Sequence, residues 1–236
     1  MGHGHVEAPC PEEERLKVLR PMIAELLHAE REITTAREVE LHEHPPAPTY
    51  DLGHLRAVHR HLFGDIYDWA GEPRTIDMAK EGTVFAPVGQ VLPCLQRLFS
   101  ALADEAYLRN LGRSDFIGGL TNYLGELNGI HPFREGNGRA QRAWSSLLAR
   151  DAGWRLDWGG LDEEENVTAS TAYFRGGPGP LVRLLHSRLS GPSAVGSAPG
   201  LIAASPERPG RGAGPRYQPE ARRRRVPSAQ RQQIEY

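Results

Sequence analysis

Apolar residues recur at helical spacing along most of this chain. Leu16, Leu19, Ile23, Leu26 and Leu27 predict a helix over residues 11 to 40. Pro11 suits its first turn, and Glu12, Glu13 and Glu14 suit its positive end. The run His44-Pro45-Pro46-Ala47-Pro48 breaks it. Asp51 can cap a second helix whose inner stripe is Leu52, Leu55, Val58, Leu62, Phe63 and Ile66. Val91, Leu92, Leu95, Leu98, Phe99 and Leu102 mark a third. Ser114 or Asp115 starts a fourth, which turns Phe116, Leu120, Leu124 and Leu127 inward. Pro132 stops it, because the residue before proline disfavours the α region. A fifth helix opens near Asn137, carries Trp144, Leu147 and Leu148, and halts at Gly153. Two more are expected over 162 to 174 and 181 to 189. Only one stretch changes period. Arg74 to Met78 alternates, Lys80-Glu81-Gly82 reads as a turn, and Thr83-Val84-Phe85 is extended. This predicts a short β-hairpin, with an irregular helix connection as the alternative. The fold class is therefore all-α with one hairpin.

From Gly191 the periodicity is lost. Glycine and proline make up 13 of the last 46 residues, which predicts a disordered tail. The sequence divides into an N-terminal extension (1 to 47), a core (48 to 190) and this tail (191 to 236). The net charge of −2 names no partner by itself. The tail holds eight arginines against Glu207, Glu220 and Glu235, or +5, which leaves −7 for the first 190 residues. Arg222 to Arg225 could touch nucleic acid, but a solvated basic tail is the simpler reading. Two cysteines, Cys10 and Cys94, cannot build a disulfide framework and lack zinc-ligand spacing. They point to a reducing, cytoplasmic setting. No stretch reaches the ~20 apolar residues of a spanning helix, and no signal peptide is expected. His3 and His5 fit an unstructured start rather than a metal site. His54, His59 and His61 read as polar-face or half-buried imidazoles.

The chemistry concentrates in His131-Pro132-Phe133-Arg134-Glu135-Gly136-Asn137-Gly138-Arg139-Ala140-Gln141-Arg142. Gly136, Asn137 and Gly138 open the fifth helix, where unpaired N–H groups and the helix dipole favour an anion. An ordinary loop is the alternative. Arg139 and Arg142 stand three apart on the first turns, so they share a face and repel unless an anion relieves them. A salt bridge to an acidic neighbour would also relieve them. Glu135 suits Mg²⁺, which takes one or two carboxylates beside substrate oxygens, or else serves as a cap. His131 can accept a proton near neutral pH. Phe133 reads as a core anchor. These residues suggest group transfer at a phosphate.

The stretch resembles the signature of the Fic family, His-Pro-Phe-x-(Asp/Glu)-Gly-Asn-Gly-Arg-x-x-Arg, at every specified position. The flanks are similar too, over Tyr50 to Pro87 and Asn166 to Leu185. The resemblance implies a compact helical bundle that transfers AMP from ATP to a Ser, Thr or Tyr hydroxyl of a target protein. It implies that His131 is the base and Glu135 the Mg²⁺ ligand. It implies that Gly136, Asn137 and Gly138 hold the α and β phosphates while Arg139 and Arg142 clamp the outer ones. It assigns nucleotide contact also to Lys80, Glu81 and Gly82 and to Asn166 and Tyr173. Arg74, Thr75, Ile76, Asp77, Thr83, Val84 and Phe85 would form a flap that docks the target strand by β-augmentation.

A related branch phosphorylates instead and carries Lys in place of the second loop glycine; Gly138 favours AMP transfer. A non-catalytic nucleotide-binding adaptor is a further alternative, opposed by the intact His131, Glu135 and Arg142. Many family members bear a self-inhibitory Ser/Thr-x-x-x-Glu-Gly/Asn helix. Here the residues four before Glu81, Glu135 and Glu165 are Asp77, His131 and Leu161, and Thr34 to Glu38 is followed by Val39. The expectation is a toxin held by a separate small antitoxin that supplies a glutamate to Arg142.

Overall fold

The structure is a computed structural model that describes residues 11–80 and 83–192, with side chains from 20 to 191. Glu81, Gly82, the tail from 193, and Cys10, His3 and His5 lie outside the described residues. Seven helices form in chain order: α1 (Pro11–Glu43), α2 (Leu52–Phe63), α3 (Val88–Asp104), α4 (Arg113–Ile130), α5 (Asn137–Asp151), α6 (Glu163–Phe174) and α7 (Gly179–Arg188). The fold is all-helical with two small antiparallel ribbons, β1 (Ala79–Lys80) with β2 (Thr83–Val84) and β3 (Trp154–Leu156) with β4 (Leu189–Pro192).

Local chemistry sets the boundaries. The Asp51 carboxylate accepts the His54 N–H at 2.8 Å and caps α2. Asp162 does the same for α6 through Glu164. Gly153 takes φ +86° just beyond α5, which ends it. Helix α4 starts at Arg113, slightly before the expected serine or aspartate. It ends in His131, whose φ of +49° and ψ of +64° are left-handed, and its N–H closes onto the Leu127 carbonyl at 3.0 Å. A pre-proline residue normally turns extended; here tertiary contacts hold the rarer state.

The core gathers around Trp144, fully buried on α5, with Leu147 and Leu148 beside it and Leu55, Phe63, Leu95, Phe116, Leu120 and Leu127 arriving from α2, α3 and α4. Tyr50 donates to the Leu147 carbonyl at 2.9 Å, and its ring stands edge-on to Trp144 at 6.3 Å. Helix α6 lies close against α4 because Gly125 and Gly129 leave room for aromatics. A Cβ on Gly125 would meet the Tyr173 ring at 2.3 Å, and one on Gly129 the Phe174 ring at 3.0 Å.

The structure departs from the sequence pattern in three places. The stripe on α1 does not form an inner face: Ile23, Leu26 and Leu27 are exposed, and α1 meets the core only toward its end, through Thr34 and Leu41. Periodicity reports an apolar face without saying what covers it. Residues 74 to 78 are not a strand; the ribbon is confined to 79–80 and 83–84. The strands β3 and β4 carried too few residues for an alternating pattern to register.

Arg74 explains why its segment is irregular. Its side chain is 3% exposed. Nε donates to the His131 carbonyl at 2.8 Å, and the terminal nitrogens reach the carbonyls of Ile76 (2.6 Å), Ile130 (3.2 Å) and Ala86. The Arg74 N–H adds a bond to the Pro132 carbonyl at 2.7 Å. One side chain thus joins the end of α4, the ribbon's base and the motif loop. Replacing Arg74 with Met should lower unfolding free energy by about 3 kcal/mol, since several carbonyls lose a charged donor. Urea titration checks this; a loss under about 1 kcal/mol would sink it.

Candidate active site

The motif spans the break between α4 and α5. Its loop is closed by a side chain: Asn137 Oδ1 accepts the Phe133 N–H at 2.8 Å, and Asn137 Nδ2 donates to the Phe133 carbonyl at 2.8 Å. The Asn137 side chain is therefore a staple, and only its backbone is left for a ligand. Gly136 has φ +74°, and a Cβ there would stand 2.4 Å from the Phe63 ring. Both facts demand glycine. Among the described residues, the N–H groups of Asn137, Gly138 and Arg139 make no hydrogen bond. They open a fifteen-residue helix, so three donors at its positive end stay unpaired.

Arg142 sits beside this helix start. Burial pushes its guanidinium below the ordinary arginine value, against the pull of Glu38 and Glu163 and with the help of Arg139. It forms no ion pair among the described residues. A Cβ on Gly138 would come 3.3 Å from its Nη1, so glycine keeps that approach open. Arg139 behaves differently, and of the two ways to relieve it the structure shows the ion pair. Its guanidinium pairs with Glu30 of α1, reaches Thr34 Oγ1 at 3.2 Å and lies over the Phe63 ring at 4.7 Å. Tyr67 completes that cluster by donating to Glu30 at 2.6 Å. The acidic neighbour that relieves Arg139 is within the chain.

His131 stacks face to face on Phe85, with centroids 3.8 Å apart and planes 10° from parallel. Its Nδ1 faces the Asn128 carbonyl at 3.3 Å, which accepts only, so Nδ1 carries the hydrogen and Nε2 keeps its lone pair. Burial, helped by Arg74 and Lys80, drives its pKa down to about 4. The ring is thus neutral at physiological pH and able to take up a proton. Glu135 is exposed, and its Oε1 accepts the Gly136 N–H at 2.8 Å. Among the described residues no cluster of three metal-ligating side chains exists.

The remaining predicted residues fall in two groups. Arg74 and Phe85 are buried beneath the ribbon rather than displayed on it. Thr75, Ile76, Asp77, Lys80 and Val84 are exposed, and Thr83 is half-exposed. Asp77 caps the next helix by accepting the Val88 N–H at 2.7 Å. Asn166 is half-exposed on α6, and the Tyr173 hydroxyl meets Glu126 at 3.2 Å.

His59 is the residue the sequence reading passed over. It is fully buried and touches the motif loop, with Nε2 3.0 Å from the Glu135 carbonyl. A signal was present: it lies four residues after Leu55 and four before Phe63, on the apolar face of α2.

The fold and site define a helical scaffold that offers an open helix start and a half-buried guanidinium to an anion, beside a neutral imidazole. A family model described as the Fic/DOC family matches residues 49–149. The chain is 35% identical over 167 residues to protein adenylyltransferase VbhT of Bartonella schoenbuchensis, covering 71% of this chain and 35% of that protein. It is 39% identical over 137 residues to a probable protein adenylyltransferase, y4lH, of Sinorhizobium fredii, covering 58% and 71%. The N-terminal Fic domain of a putative cell filamentation protein of Bartonella quintana, with bound ADP, superposes with a TM-score of 0.70 at 26% identity, covering 72% and 87%. The chain belongs to the Fic/DOC family. It spans about a third of the length of VbhT.

Two expectations follow. Gly136→Ala should cost about 2–4 kcal/mol, from the left-handed backbone and from collision with Phe63. Adding Phe63→Leu should recover part of that cost, and thermal melts of the single and double variants measure it; no recovery would remove the steric account. The second concerns pH. The His59 pKa is pushed down by burial to about 4, so the unfolded chain, titrating near 6.5, binds its proton first as pH falls. The stability from keeping this ring neutral is complete above pH 6.5 and is lost between 6.5 and 4. His131, also held near 4, adds an equal loss, so stability should be flat from pH 8 to 7 and decline below 6.5 by roughly 2–3 kcal/mol per pH unit for the two rings together. A midpoint that rises on acidification would contradict it.

Proposed function

We propose that this chain is a protein adenylyltransferase that moves AMP from ATP to a Ser, Thr or Tyr hydroxyl of a target protein. The observation that carries the reading is the set of unpaired N–H groups at residues 137–139 beside Arg142, with the proton-accepting edge of His131 available at the same loop. Two of the related proteins are named for this activity, and ADP occupies the related Fic domain.

In this reading the helix start and Arg142 bind the triphosphate and hold the α-phosphorus in line with the acceptor. The target hydroxyl gives its proton to His131 Nε2. Its oxygen forms a bond to the α-phosphorus, the bond from that phosphorus to the bridging oxygen breaks, and pyrophosphate leaves. AMP remains on the target as a phosphodiester. Glu135 would hold Mg²⁺, which supplies charge neutralisation at the phosphates when bound. The exposed ribbon edge at Lys80 and Val84 would pair the target backbone, which brings any suitable hydroxyl to one depth. Arg142 forms no ion pair among the described residues, a state that a glutamate from a small antitoxin would relieve. The buried, unbridged Cys94 suits a cytoplasmic toxin, and among the described residues no helix is long and apolar enough to cross a membrane. Phosphotransfer ranks second, because Gly138 leaves open the space a lysine would fill.

Incubation with lysate and ATP labelled at the α or the γ position tests this. Label from the α position should appear on protein, and His131→Ala should reduce it by about 100-fold or more. Label only from the γ position would move the assignment to phosphotransfer, and label that survives in His131→Ala would remove His131 as the base.

A further inference from the structure

His59 holds the motif loop from both sides of one ring. The Gly71 N–H donates to Nδ1 at 2.9 Å. That nitrogen is therefore the acceptor, and the hydrogen sits on Nε2, which donates to the Glu135 carbonyl at 3.0 Å. The tautomer is set by two backbone groups from separate segments. The ring also packs on Phe133 at 3.9 Å and on Phe63 at 4.7 Å, so it cannot swing away.

The bond to Glu135 acts beyond the carbonyl itself. A trans peptide is planar, and its C=O and N–H point in opposite directions. Holding the Glu135 oxygen toward α2 forces the Gly136 N–H to point away from it. That N–H is the group that holds Glu135 Oε1 at 2.8 Å. Gly136 could otherwise rotate readily, because it lacks a Cβ and already sits at positive φ. The peptide that begins the anion-binding turn would then be free to flip and offer its carbonyl to the phosphates.

We propose that His59 is a positioning residue that locks the 135–136 peptide and thereby aims both the Glu135 carboxylate and the N–H groups that follow it. The proposal rests on the reading of this loop as the ATP site.

Two amides separate this role from mere packing. In His59→Gln the terminal amide stands where Nε2 stood and can donate to Glu135, while the acceptor for Gly71 is lost. In His59→Asn the amide oxygen replaces Nδ1 and keeps Gly71, while the donor to Glu135 is lost. Both variants lose the ring and its contacts with Phe133. ATP affinity is measured by calorimetric titration with and without Mg²⁺, alongside the melting midpoint. His59→Asn should weaken ATP binding about tenfold or more, the more so with Mg²⁺ present. His59→Gln should keep wild-type affinity although it melts lower. If His59→Asn does not fold, the folded His59→Gln decides, because loss of ATP binding there overturns the role. Wild-type protein that binds no ATP overturns the underlying reading. Wild-type binding with equal loss in both variants, or loss in neither, overturns the role of His59 alone.

Discussion

The buried Arg74 guanidinium is the constraint on which the rest of this structure depends. It faces the carbonyls of Ile130 and His131, at the negative end of the α4 dipole, and those of Ile76 and Ala86 at the base of the ribbon. A charged donor kept from water is tolerable only when acceptors surround it, so these backbone segments must converge. Their convergence puts Phe85 under His131. It also accounts for the left-handed backbone at His131, which costs on the order of 1–3 kcal/mol when unsupported. The His131 imidazole thus owes its place to contacts made mostly by main chain.

A second set of contacts shapes the loop after His131. Asn137 spends its side chain on Phe133, Gly136 yields to the Phe63 ring, and His59 grips Glu135. Each of these removes a freedom that a flexible glycine turn would otherwise keep. Among the described residues, what remains unpaired is the N–H groups that open α5 and the Arg142 guanidinium, which has no ion pair. Preorganisation of that kind is what electrostatic catalysis requires, because the donors need not rearrange when charge develops.

Much of this was legible in the sequence. Helices α2, α3, α4, α5 and α7 follow the apolar period, because each buries apolar residues in the core around Trp144, whereas α6 buries only Ala169. The motif was readable because its residue types serve one another locally: glycine for the turn, arginine and helix start for the anion, histidine for the proton. What escaped depended on residues far apart in the chain. Arg74 looked like one position in an alternating run, yet its partners lie 56 and 57 residues away at Ile130 and His131. An ion pair was one reading of Arg139, but its partner was hidden because Glu30 lies 109 residues earlier. His59 looked like one of three helix histidines, and only its place within the apolar stripe set it apart. The face of α1 was legible as apolar but not as exposed, since a period carries no information about neighbours.

The pairing of Glu30 with Arg139 changes what the first helix is. By sequence, a proline-rich break at 44 to 48 separates an extension from a core. In space, Thr34, Leu41 and Glu30 are inserted into that core, and Tyr67 and Arg139 receive them. A fragment trimmed at residue 48 would leave Arg139 facing solvent with only the Phe63 ring for company, and would strip the cover from the flank of α2. The break is a divide in composition and a seam in structure, because Arg139 on the first turn of α5 is tied to Glu30 and Thr34 of α1.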